Sequence, residues 1–308
     1  MKAKNIMIFL CGVMIVAGTA CKNANTPEDK TVQKRHLTIK MSDSAAGAPV
    51  RHIKNATITD EGSTLLAEWT AGDAVSYCNL SRPDGTPLYI GTMTAATSGV
   101  KSDLTGDVNC TENDYIAVVY PAADLSSLSY EMGDNIHCKF SISLAGQDGT
   151  LSTMASTYHY VYGRAHVIST SGDNAVAEMD KMQSLLTVCK FSFKDKATDA
   201  VLPINTLTIS YGGSDSKTDK YPQSATVTVT NLTENNAASA VADEPTTPLT
   251  ITCPSAQNEV YVALLPEINT CEYQFTVTSG SDTYTGKAEA HLKKGEYVVA
   301  NGLKLNKQ

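Results

Sequence analysis

Apolar and polar residues alternate along most of this chain, and the two-residue period is that of half-buried strands. In 36–41, Leu37, Ile39 and Met41 share one face. The pattern predicts further strands at 65–69, 74–80, 88–93, 115–120, 136–142 and 160–169. In 186–193, Thr187, Cys189, Phe191 and Phe193 share a face. Later strands fall at 206–211, 225–232, 249–253, 260–265, 273–279, 283–290 and 297–305. Turn signals separate them, such as Thr70-Ala71-Gly72-Asp73 and Arg82-Pro83-Asp84-Gly85. One segment, 175–185, reads as a short helix, because Met179 and Met182 lie three apart. Many short strands rich in Thr, Val and Tyr predict an all-β protein built of sandwiches.

The first residues break the alternation. Lys2 and Lys4 precede an apolar run from Ile6 to Val16, then Ala17-Gly18-Thr19-Ala20 and Cys21. The run is too short for a membrane span, which needs about 20 apolar residues, so it reads as an export signal. Its ending in small residues and cysteine is the pattern of a bacterial lipoprotein, with Cys21 the acylated residue. A plain secretory leader cut after Ala20 is the other reading. Residues 21–35 are polar and aperiodic and read as a tether. The Ser/Gly/Asp-rich stretch 169–174 marks the expected junction between an N-terminal domain (52–172) and a C-terminal one (173–308).

Composition narrows function mainly by exclusion. The net charge is −8 with no basic stripe, which argues against a nucleic-acid partner. Of eight cysteines, six lie beyond Cys21: Cys78, Cys110, Cys138, Cys189, Cys253 and Cys271. None forms a CxxC pair or has a histidine at zinc-ligand spacing. Their pairing stays open between buried thiols and disulfides, and Cys253 with Cys271, flanking one predicted hairpin, is the first pair to test. No GxSxG, phosphate-binding loop or HExxH motif occurs, so no catalytic constellation and no cofactor is expected. Calcium in Asp-rich loops stays open. His159 and His166, an odd number of residues apart, would face opposite sides of one strand.

Several blocks, in order, resemble the fimbrillin family of fimbrial lipoproteins. Glu68-Trp69-Thr70-Ala71-Gly72-Asp73-Ala74-Val75-Ser76-Tyr77 is similar to that family's W-x-x-G-D-x-[IV] block. Ser102-Asp103-Leu104-Thr105-Gly106 and Tyr115-Ile116-Ala117-Val118-Val119-Tyr120-Pro121 resemble its next two strands. Leu292 to Leu305 resembles its closing strand, and Val50-Arg51 stands where the family carries a cleaved arginine.

The resemblance implies two tandem transthyretin-like β-sandwich domains in an outer-membrane lipoprotein. It also implies cleavage by an arginine-specific protease after the first strand, followed by filling of the vacated groove by a strand from another subunit. On that basis Arg51 is the scissile residue and Arg35 the second choice. Residues 36–51 are the removable piece, with Leu37, Ile39 and Met41 as the plug. The closing strand, with Tyr297, Val299, Leu303 and Leu305, is the candidate donor. Implied partners are other fimbrial subunits, the protease, the membrane through the lipid, and a surface receptor or glycan. The competing expectation is a surface glycan-binding lipoprotein. Such a protein needs flat aromatic platforms, and the chain has one Trp and 14 Tyr. An enzyme is not expected.

Overall fold

The computed structural model describes residues 33–41, 57–60, 62, 65–81, 89–123, 125, 127–130, 136–214, 217–230 and 238–308. The first part of the chain supplies β1 (Gln33–Met41), β2 (Thr57–Asp60), β3 (Leu65–Glu68), β4 (Ala74–Asn79) and β5 (Ile90–Ala95). β6 (Leu104–Cys110), β7 (Tyr115–Tyr120), β8 (Ser127–Tyr130) and β9 (Ile136–Ser143) follow. Among the described residues one helical stretch, α1 (Leu151–Thr153) running into a π turn (Met154–Tyr158), precedes β10 (Val161–Ser171) and β11 (Asn174–Ser184). The remainder is β12 (Thr187–Asp195), β13 (Ile204–Tyr211), β14 (Ser224–Thr230), β15 (Ala238–Ala242) and β16 (Leu249–Gln257). β17 (Val260–Leu264), β18 (Cys271–Ser279), β19 (Asp282–Ala290) and β20 (Tyr297–Lys307) complete it.

The protein is all-β, as the alternation requires. Seven strands close a barrel in the order β1-β11-β10-β7-β4-β5-β6. A seven-stranded sheet runs β16-β13-β18-β19-β20-β12-β17, and a four-stranded sheet runs β15-β14-β9-β8. The barrel is filled by the inward set from each strand, among them Leu37, Ile39, Val75, Tyr77, Met93, Val108, Ile116 and Val118. The two larger sheets share another core, in which Phe275 packs 5.3 Å from Phe191 and 5.6 Å from Phe193 between ring centroids. On β12 the predicted face of Thr187, Cys189, Phe191 and Phe193 is fully inward.

Two expectations change. The segment predicted as a helix at 175–185 is strand β11, pairing antiparallel with β10 and parallel with β1. Its Ala, Glu, Met and Lys residues suit a helix, but burial of Ala175, Ala177 and Met179 on one face follows the strand period. The three-residue gap from Met179 to Met182 arises from a register shift, since Ala165 faces Met179 while Gly163 faces Met182. The stretch 169–174 is likewise the tight turn between β10 and β11, with Gly172 at φ +53°. Turns and linkers draw on the same small polar residues, so composition did not tell them apart. The chain leaves the barrel for the last time at Leu185 and Leu186, both buried. The halves also interlock, because β9 from the first half pairs with β14 from the second.

Candidate functional site

The strand that closes the barrel, β1, is the one that the fimbrillin resemblance implies is removed. β1 pairs antiparallel with β6 from Gln33 to Ile39 and parallel with β11 from His36 to Met41. Leu37 and Ile39 are fully buried inside the barrel, while Met41 at the strand end is half-buried. Their neighbours explain the fit. Leu37 stands between Gly106 of β6 and Ala175 of β11, and Ile39 stands between Leu104 and Ala177. Small residues on both sides of Leu37, and Ala177 on one side of Ile39, leave space that the large β1 side chains fill. At Gly106 any side chain would crowd Met93 and the Thr92 carbonyl, at 2.9 and 3.0 Å. Without β1, β6 and β11 would present facing rows of unpaired backbone donors and acceptors above two apolar pockets. Gly106, Ala175 and Ala177 escaped sequence reasoning as site residues, because small residues carry no chemical signal until their neighbours are known.

The outward side of β1 is polar. Asp107 receives Lys34 at 3.3 Å and His36 at 3.4 Å, and these contacts, the one from His36 first, hold its carboxyl below the usual range. Arg35, the second cleavage candidate, is engaged within the sheet. It donates to the carbonyls of Cys110, Gly172 and Gln33 and to the Gln33 side chain. The bond after Arg35 leads into His36, which is paired on both sides, with Asp107 of β6 and Asn174 of β11, so a protease cleft finds no free edge there. Arg51, Cys21 and residues 42–50 lie outside the described residues.

The candidate donor strand is an integral part of its own sheet. β20 runs parallel to β12 from Val188–Tyr297 to Asp195–Leu305 and meets β19 at Tyr284–Lys307. Leu305 is buried, packed where a side chain at Gly286 would clash with it. Tyr297 and Leu303 are half-buried, and Val299 is the most exposed of the four.

The Trp69 block forms the entry into β4. Trp69 exchanges two backbone hydrogen bonds with Gly99, at 2.9 and 3.0 Å. Gly72 takes φ +89°, a conformation that favours glycine, and Asp73 closes the turn by accepting the Thr70 N–H at 2.6 Å. The indole is buried edge-on against Tyr120, at 6.1 Å between centroids.

A polar clasp that the sequence did not reveal fastens β2 and β3 to the second half. Asp60 Oδ2 accepts from Lys190 Nζ at 2.9 Å and from Tyr261 OH at 2.7 Å, and Oδ1 accepts the Gly62 N–H at 2.7 Å. Lys190 also reaches Glu259 at 2.9 Å. Burial pushes the Asp60 carboxyl up, but the hydrogen bonds from Lys190, Tyr261 and Gly62 outweigh it and bring it to about 2. The same bonds to Asp60 and Glu259 raise Lys190. The clasp is an ion pair at the edge of a small apolar cluster that includes Val188, Leu65, Tyr261 and Tyr297.

His166 stacks on Tyr115 at 4.8 Å and His159 precedes β10. Among the described residues, no group of three His, Cys, Asp or Glu side chains is placed to hold a metal. Cys253 and Cys271 lie on strands on opposite sides of β13. Thr206 of β13 faces both Thr252 and Thr278, so Cys271 lies seven residues along from that level, about 23 Å at strand rise. They cannot be bridged.

No protein-family model matches the chain, and no curated protein matches it in sequence. Solved structures do match in fold. A candidate cell adhesion protein from Bacteroides ovatus is similar at a TM-score of 0.50 and 12% identity, covering 90% of this chain and 96% of that one. A candidate cell adhesion protein from Bacteroides uniformis is similar at 0.47 and 11% identity, covering 82% and 83%. The shaft pilin SpaA of Lactobacillus rhamnosus GG is similar at 0.31 and 14% identity, covering 90% and 98%. At 12% identity the likeness to the Bacteroides ovatus structure shows the fold alone.

Proposed function

We propose that this protein is a fimbrial subunit with an adhesive role, exported as an outer-membrane lipoprotein through Cys21 and assembled by strand exchange at the β1 slot. One observation carries the reading. The strand that completes the barrel is the first described strand, and it is followed by the segment containing Arg51. A cut after Arg51 would leave β1 held only by noncovalent contacts. A strand from another subunit, entering antiparallel to β6 with apolar residues at alternate positions, would satisfy the same edges and pockets. Cleavage at Arg35 would instead break β1 within its own ladder and leave Leu37 and Ile39 in place.

The embedded β20 bears on position in a fibre. A stalk subunit needs both a slot and a free donor, whereas β20 is engaged with β12 and β19. Acting as donor through Tyr297, Val299, Leu303 and Leu305 would require it to leave that sheet. We therefore favour a tip or accessory position, with other fimbrial subunits, the arginine-specific protease and a surface receptor or glycan as partners. The glycan-uptake reading loses support because the single Trp is buried and offers no sugar platform. The fold neighbours named for adhesion are in keeping with this reading.

Treatment of the lipoprotein with an arginine-specific protease is expected to give a product beginning at His52. After cleavage, size-exclusion chromatography with donor subunits is expected to show larger species. An intact 42–56 segment after exhaustive treatment, or a cleaved protein that stays monomeric with every donor, would count against the mechanism.

A further inference from the structure

The polar clasp holds a primary amine against a carboxyl group in a largely dry setting. Lys190 lies on the outward side of β12, between the inward-facing Cys189 and Phe191. Across the ladder it faces Tyr261 of β17, and Glu259 stands just before that strand. Asp60 ends β2, which pairs with β3 in a two-stranded sheet. Lys190 Nζ is 2.9 Å from Asp60 Oδ2 and 2.9 Å from Glu259 Oε2. The Lys190 and Asp60 side chains are 14% and 12% exposed, whereas Glu259, at 47%, reaches solvent. Tyr261 OH donates to Asp60 Oδ2 at 2.7 Å, and the Gly62 N–H donates to Oδ1 at 2.7 Å. Val188, Leu65 and Met154 form the apolar cluster beside Tyr261. By contrast, the lysines in the ion pairs of Lys34, Lys287, Lys304 and Lys307 are more than half exposed.

We propose that Lys190 and Asp60 condense to an intramolecular amide, with Glu259 moving the protons, so that the hairpin of β2 and β3 is tied covalently to β12. The starting state is the ion pair, in which neither the ammonium nor the carboxylate reacts as it stands. A proton passes from the Lys190 ammonium to Asp60 Oδ2, leaving a free amine and a carboxylic acid. Burial lowers the cost of that neutralisation, because buried charges have lost hydration. The amine lone pair then attacks Asp60 Cγ, and the negative charge of the tetrahedral centre develops on Oδ1, which faces the Gly62 N–H. Glu259 accepts a proton from the attacking nitrogen and delivers it to the Oδ2 hydroxyl. The C–O bond breaks and water leaves. One amide and one water are formed, Glu259 returns as a carboxylate, and no electrons or further reactant are needed. Burial and the bond to Asp60 push the Tyr261 phenol up to about 12, so it stays a donor to Oδ2. Contact between the reacting groups supplies the orientation that the step needs. Chains that have not reacted keep the Asp60 carboxylate, and acid titration of the clasp is a property of those chains. On the strand-exchange reading, a cut after Arg51 leaves β2 beside the new N-terminus, and the amide pins that end to β12. The amide itself does not depend on that reading.

The test incubates the folded full chain at neutral pH, follows its intact mass, and maps tryptic peptides by tandem mass spectrometry. The expected result is a chain lighter by one water, with a branched peptide joining the segments that carry Asp60 and Lys190. Full mass on most chains after prolonged incubation, or a water loss mapped to any other pair or to Asp60 alone, overturns the proposal. Lys190→Arg keeps the charge but not the reactive amine and is expected to stay at full mass. An equal water loss in that variant overturns the proposal. Glu259→Gln is expected to link on the order of 100-fold more slowly, and a rate equal to wild type overturns the role of Glu259. The wild-type mapping needs no variant, so it decides even if neither substitution folds. A negative result leaves the β1 slot untouched, since cleavage at Arg51 tests that separately.

Discussion

The pocket for Leu37 sets how strongly β1, or any strand replacing it, is held. The perturbation is Leu37→Ala in a peptide of residues 33–41, offered to a chain cut in the 42–56 segment at an inserted site for a protease that ignores arginine. Leu37 is fully buried between Gly106 and Ala175. Neither neighbour has a side chain able to collapse into the vacated space, and Met93 is already packed on Gly106. Leu→Ala changes in cores cost about 2–5 kcal/mol, and a site that cannot relax lies in the upper part of that range. Taking about 3 kcal/mol as the lower expectation, the peptide should bind on the order of 100-fold more weakly than wild type. Lys40, on the same strand, is exposed, so Lys40→Ala should change affinity by no more than about threefold. Displacement of a labelled wild-type peptide, followed by fluorescence anisotropy, gives both numbers. The reasoning is refuted if the two substitutions weaken binding alike, or if the cut chain exchanges its strand for no peptide at all.

Two further outcomes probe the surrounding structure. The Asp60 carboxyl is held at about 2 against an ordinary value of 3.8, and its side chain is only 12% exposed. A depressed carboxylate stabilises the fold above its unfolded value and loses that contribution as pH falls from 3.8 through 2, here about 2 kcal/mol. The stability difference between wild type and Asp60→Asn, from chemical denaturation, should therefore shrink by about that amount between pH 6 and pH 2, and an unchanged difference would contradict the clasp. Gln147, buried, donates to the carbonyls of Leu144 and Ala263 at 3.0 Å each and accepts the Ala263 N–H at 2.7 Å. Gln147→Ala leaves those groups without the side chain's bonds and should lower stability by about 3 kcal/mol, read from the denaturation midpoint. A loss under about 1 kcal/mol would mean that water or a shifted backbone replaces them.

The slot itself was only half legible. The inward face of β1, with Leu37 and Ile39, stood out because alternation identifies an inward face without any partner, while its role as a plug with Met41 came only from the family resemblance. The pockets did not, because Gly106, Ala175 and Ala177 become a site only when β6 and β11 are set on either side of β1. The clasp was hidden for a related reason. Asp60 and Lys190 are 130 residues apart, and an Asp at a strand end and a Lys on a strand read as ordinary surface residues until folding joins them.

Local pattern by itself determined the class of fold and most strands. Side-chain period is a property of the backbone within a single strand, so β7, β9, β12 and β20 were readable to within a few residues. The expectation of an export signal and the search for catalytic motifs were equally local. Which strands pair was not, because a ladder joins backbone groups that carry no sequence label. Only the tertiary structure decided that 174–184 is a strand, that β1 closes a barrel, and that β9 and β14 complete one sheet across the two halves. In each case long-range pairing and burial outweighed a local preference of a few tenths of a kcal/mol per residue, the scale on which helix and turn propensities differ.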